Sequence, residues 1–85
     1  MPTRAFILIE TQARYVGDKW VGTANQVVQA LRSLPGVKTA DVVTGSFDII
    51  VLIEVDTMSA MAELVTGQMQ GIRGVLRTIT CVAAG

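Results

Sequence analysis

Asp48 is the residue of this chain best placed to act on a small charged molecule, because it closes the run Val43-Thr44-Gly45-Ser46-Phe47-Asp48 between two apolar, β-branched segments. Backbone N–H groups exposed at a Gly45-Ser46 turn can hold a carboxylate, and the nearby Asp48 side chain can pair with an α-ammonium, so a zwitterion would be read at both ends. Taken alone, the same pattern fits a plain hairpin that needs glycine at positive φ and a polar cap.

Other chemistries find little support. The chain has no histidine and therefore lacks the usual neutral-pH proton shuttle. Among the acids Glu10, Asp41, Asp48, Glu54, Asp56 and Glu63, only Glu54 and Asp56 lie close together, where a solvated strand end and a helix cap account for them. No Cys/His cluster offers metal ligands, and no glycine-rich loop has a nucleotide-binding pattern. The expectation is a protein that is not an enzyme and uses no cofactor.

Seven basic and seven acidic residues leave no net field to gather phosphates, and only Phe6 and Phe47 could serve as base-stacking strand aromatics, so direct nucleic-acid binding is disfavoured. The single cysteine, Cys81, lies in an apolar strand-like run and reads as a small buried hydrophobe, which fits a reducing, cytoplasmic setting. No export signal is visible at the start. Although 51% of the residues are hydrophobic, no apolar run approaches the roughly 18 residues that a bilayer span requires.

The elements that must position Asp48 follow from hydrophobic spacing. Ala5 to Thr11 is a first strand, and Gln12 to Gly22, with Tyr15 and Trp20 among glycines, reads as a loop. Thr23 caps a helix whose apolar positions Ala24, Val27, Val28, Leu31 and Leu34 run up to Pro35-Gly36. Lys38 to Thr44 and Phe47 to Val55 are strands on either side of the turn. Asp56 or Thr57 caps a second helix carrying Met58, Met61, Leu64, Val65, Met69 and Ile72 on one face, with Gly71 and Gly74 at its end. Leu76 to Ala83 is the last strand, in which Thr78 and Thr80 alternate with Ile79 and Cys81.

This order is a duplicated split βαβ unit, a ferredoxin-like α+β fold with two helices on one face of a four-stranded antiparallel sheet. The strand after the turn is apolar on both sides, with Ile49, Val51 and Ile53 alternating with Ile50 and Leu52, so both sheet faces want to leave water. A domain of 85 residues is marginal with one lone core. The bare face is therefore expected to stack on a second copy as a homodimer.

Three motifs carry a resemblance: Leu34-Pro35-Gly36-Val37, then Val43-Thr44-Gly45-Ser46-Phe47-Asp48-Ile49, then Gly74-Val75 followed by Arg77-Thr78 and Thr80. In this order and register the chain resembles the effector-binding (RAM) domain of the Lrp/AsnC transcription regulators, over nearly its whole length. The resemblance implies a single domain over residues 1–85, of the stand-alone type without a helix-turn-helix domain. It also implies dimers paired through their sheets, rings of four such dimers, and an amino-acid effector bound at contacts between dimers. By motif it implicates Thr44, Gly45, Ser46, Phe47 and Asp48, with Thr78 and Thr80 as neighbours, and it allows co-assembly with a full-length regulator. Two alternatives stay open: a purely structural interaction module, and a dimeric α/β-barrel enzyme with a cavity between its sheets. The segment Gln12 to Gly22 is longer and more aromatic than the family's usual connection.

Overall fold

The computed structural model describes residues 2–12, 14–16, 19–21 and 23–84, with the 14–16 and 19–21 segments described by their backbone. The elements in chain order are β1 (Thr3–Thr11), β2 (Arg14–Val16), β3 (Lys19–Val21), α1 (Ala24–Arg32), β4 (Val37–Val42), β5 (Ile49–Val55), α2 (Met58–Ala62) and β6 (Val75–Val82). Helix α2 runs directly into a π-helical stretch, Glu63–Met69. Four strands form one antiparallel sheet in the order β4-β5-β1-β6, and both helices pack on one face. This is the ferredoxin-like α+β fold expected from the pattern of elements.

Strand alternation decides what each face buries. Ala5, Ile7 and Ile9 of β1, Ile49, Val51 and Ile53 of β5, and Ala40 of β4 are buried beneath the helices. Val27, Val28 and Leu31 of α1 meet them, with Met61, Leu64, Val65 and Met69 from the second helical segment. Arg32 ties the end of α1 to β4 by donating from Nε to the Ala40 carbonyl at 3.0 Å. Edge strand β6 is barely covered on this side, so Thr80 and Val82 are exposed and Thr78 is half-buried.

The opposite face carries two apolar rows fixed by register. Leu52, Phe6 and Cys81 lie side by side across β5, β1 and β6, and Ile50, Leu8 and Ile79 form the next row. Phe6 is 44% exposed, Ile50 37% and Ile79 38%. Oppositely charged residues flank the rows in register: Arg4 lies opposite Glu54, and Glu10 lies opposite Arg77. An apolar centre with a charged rim has the anatomy of a protein interface.

Several expectations are corrected. Within the segment read as a loop, β2 and β3 pair in register, placing Tyr15 opposite Trp20 and Val16 opposite Lys19. Two β-prone tripeptides separated by Gly17-Asp18 are a hairpin signal that outweighs the segment's glycine content. Ala13, Gly17, Asp18 and Gly22 themselves lie outside the described residues. Cys81 is exposed, because its parity on β6 places it beside Phe6 on the open face rather than in the core. Met58 is 56% exposed on the first turn of α2, before the helix meets the sheet.

The second helix also changes period. Gln70 N–H bonds to the Val65 carbonyl at 2.9 Å, five residues back, and this wider turn keeps Leu64, Val65 and Met69 all in the core. Thr66 donates its hydroxyl to the Ala62 carbonyl, a competing bond of the kind that loosens a regular helix. Thr57 is the cap, its hydroxyl accepting from Ala60 N–H at 3.0 Å.

Candidate functional site

The connection between β4 and β5 spans residues 43–48, longer than the tight turn expected, since β4 stops at Val42 and β5 starts at Ile49. Val43 N–H bonds to the Asp48 carbonyl at 2.8 Å, which closes the loop, and Asp48 N–H reaches the Ile9 carbonyl of β1 at 2.9 Å. The segment is thus pinned at its base and free at its tip. At the tip Gly45 has φ +138°, a conformation L side chains rarely adopt, with open space where a Cβ would stand. Thr44, Gly45 and Ser46 are exposed, while Phe47 and Asp48 are half-buried.

Half-buried Asp48 has a structural bond of its own. Its Oδ2 accepts from Thr11 N–H at 2.8 Å and from the Thr11 hydroxyl at 3.1 Å. Thr11 is buried, so this carboxylate oxygen satisfies two donors that would otherwise be stranded. Oδ1 takes no hydrogen bond from the described residues and remains open to a ligand's donor.

Arg77 links this loop to β6. Its guanidinium carbon lies 5.5 Å from the centre of the Phe47 ring, within cation–π range. It also pairs with Glu10 at 3.1 Å between partly exposed groups. On β6, Gln70 Nε2 donates to the Thr78 hydroxyl at 2.9 Å. Gln70, Val75, Leu76, Arg77 and Thr78 line a shallow cleft of about 380 Å³.

The structure therefore joins Phe47 and Asp48 of the loop to Thr11, Arg77 and Glu10, and Arg77 leads on to Thr78. Thr80 stands two residues further along β6, opposite Ile7, and does not line that cleft. Thr11, Glu10 and Arg77 were not singled out from sequence as site residues. Arg77 stood inside the third motif, but Thr11 gave only the signal of a hydroxyl at a strand end, facing Asp48 across 37 residues. Among the described residues no group of three or more His, Cys, Asp or Glu side chains could hold a metal ion. Among them, too, no helix is long and apolar enough to cross a membrane.

Comparison with known proteins places this geometry. An uncharacterized HTH-type transcriptional regulator of Pyrococcus abyssi is 31% identical over 81 residues, which cover 95% of this chain and 51% of that protein. The chain thus spans about half the length of the curated relatives it matches. Among solved structures, the hypothetical protein PHS023 from Pyrococcus horikoshii superposes with a TM-score of 0.81 at 30% identity, covering 96% of this chain and 89% of that one. The fold is shared with a more distant structure, the transcriptional regulator NMB0573 from Neisseria meningitidis solved as a complex with L-Met. There the TM-score is 0.78 at 19% identity, over 98% of this chain and 50% of that one. A family model described as the Lrp/AsnC ligand binding domain matches residues 4–84, and the chain belongs to that family.

Proposed function

We propose that this chain is a non-enzymatic amino-acid-binding and oligomerisation module, with its effector held at the 43–48 loop where subunits meet. The observation that carries the reading is the loop itself. Exposed backbone at Gly45 and Ser46 stands two to three residues from a carboxylate that Thr11 holds by one oxygen only. A ligand carboxylate would take the Gly45-Ser46 N–H groups, and its α-ammonium would take Asp48 Oδ1. Phe47, steadied by Arg77, would give the ligand side chain an apolar wall. Thr44 would flank the loop entry, and Thr78 and Thr80 would contribute hydroxyls from β6. The crystallised L-Met complex of the Neisseria regulator, on the same fold, supports an amino acid as the ligand class.

Assembly follows from the open sheet face. Covering the exposed part of Phe6 alone would stabilise a dimer by about 2 kcal/mol per subunit, from its 44% exposure and roughly 200 Å² of side-chain surface. A face-to-face homodimer buries both apolar rows, and such dimers would assemble further into rings. Membership of a regulator's ligand-binding family makes a DNA-binding regulator of the same family the natural mixed partner.

A thermal-shift screen against the amino acids tests the ligand claim. At a hundredfold excess over Kd, a ligand specific for the native state adds about 2.7 kcal/mol, raising Tm by roughly 10 °C or more in a domain this size. A flat response to every amino acid would remove the sensing role. One observation favours a second reading, a purely structural interaction module: Thr11 already occupies Asp48, and that contact alone would justify the aspartate.

A further inference from the structure

A second cleft, of about 460 Å³, lies where the β2–β3 hairpin leaves and rejoins the domain, and no residue of the 43–48 loop is among those lining it. Gln12, on the way into the hairpin, and Thr23, on the way out, both line it. Half-buried Thr23, Ala30, Ile72 and Gly74 form its floor, and the exposed Gln12, Gln26 and Arg73 stand at its rim.

The walls are fixed by close packing. Gln12 N–H bonds to the Gly74 carbonyl at 2.9 Å, which locks β1's exit against the turn carrying Arg73. That turn is held in place by Val75 N–H on the Ile72 carbonyl and by Ile72 N–H on the Met69 carbonyl, each at 3.1 Å. Gly74 has φ +102°, and a Cβ there would overlap Thr23 Cγ2, so only glycine lets α1 come this near. The side chains that converge on this frame are polar and unspent. Among the described residues Arg73 has no ion-pair partner, and the Thr23 hydroxyl makes no cap hydrogen bond to α1. Among the described residues no carboxylate lines the cleft.

We propose that this cleft binds a small oxyanion, with the Arg73 guanidinium gripping the anionic head and the Gln12 and Gln26 carboxamides and the Thr23 hydroxyl completing the hydrogen bonds. The guanidinium fork matches the two oxygens of a carboxylate or a phosphate. Ala30 and Ile72 supply an apolar patch for a short carbon body. The volume falls at the lower end of the range for small-molecule sites, which suits a ligand the size of a short organic acid.

The test titrates the intact protein with two probes, succinate and inorganic phosphate, by calorimetry up to about 10 mM, a range that captures millimolar affinity. At least one should bind saturably, and the stronger probe identifies the head group. Arg73→Gln should weaken that binding roughly tenfold or more, the loss expected for charge-assisted hydrogen bonds, and Gln26→Ala should weaken it less. Asp48→Asn should leave it unchanged, so that failure of the 43–48 site and failure of this cleft are read separately. Absence of binding by both probes would overturn the proposal, as would binding that survives Arg73→Gln or is lost equally with Asp48→Asn.

Discussion

Replacing Thr11 with valine and Asp48 with alanine, singly and together, measures how far the loop aspartate is an anchor of the fold. In the native structure Asp48 Oδ2 accepts from Thr11 N–H at 2.8 Å and from its hydroxyl at 3.1 Å, and Thr11 is only 7% exposed. Asp48→Ala strands both donors. At about 1–3 kcal/mol for each buried unsatisfied group, the loss should be roughly 2–6 kcal/mol, with the backbone N–H contributing most. Thr11→Val keeps the shape and the N–H bond and removes only the hydroxyl, so it should cost about 1 kcal/mol. The double variant should cost about 1 kcal/mol less than the sum, because the hydroxyl bond is lost once and not twice. Urea titrations at one fixed subunit concentration, where assembly cannot shift the reference, give these values from midpoints at constant slope. A fully additive pair, or an Asp48→Ala variant within about 0.5 kcal/mol of the native protein, would refute the anchoring role.

Asp48→Asn keeps a side-chain acceptor for Thr11 but removes the charge, so it should retain most of the stability that Asp48→Ala loses while still losing amino-acid binding; melting curves and calorimetry on one preparation check both. Phe6→Glu places a charge in the middle of the open apolar rows and should weaken a sheet-paired dimer by about 4 kcal/mol, near a thousandfold in Kd, read by sedimentation. Gly45→Ala meets open space and should cost only backbone strain, about 1–3 kcal/mol, whereas Gly74→Ala adds overlap with Thr23 and should cost clearly more in the same denaturation assay. Arg77→Gln should change stability by less than about 1 kcal/mol, since its ion pair with Glu10 is partly exposed, yet it should weaken ligand binding by loosening Phe47.

Spacing made most of the fold legible. The alternation of Ile49, Val51 and Ile53 with Ile50 and Leu52 identified a strand apolar on both sides, and the structure buries the first set and leaves the second on the open face. Helix α1 follows its apolar positions and ends before Pro35-Gly36 as expected. The misses have local causes. A π-helical turn hides in sequence because Leu64, Val65 and Met69 suit either helical period when only one face is scored. Cys81 was misplaced because hydrophobicity does not state which face of an edge strand a side chain takes; only register with Phe6 does. Within the site, the glycine and aspartate of the loop were visible as residue types. The partnership of Asp48 with Thr11, and of Phe47 with Arg77, depends on strand order, which brings β1 beside β5 on one edge and β6 on the other.

Calorimetric titration of the protein with an amino-acid panel that includes L-methionine bears most directly on the central claim, provided that Asp48→Asn is titrated alongside it. A saturable heat from at least one amino acid, abolished in Asp48→Asn while the oligomer stays intact, is the expected outcome. No heat from any amino acid on the folded native protein, or equal heat from Asp48→Asn, would contradict it.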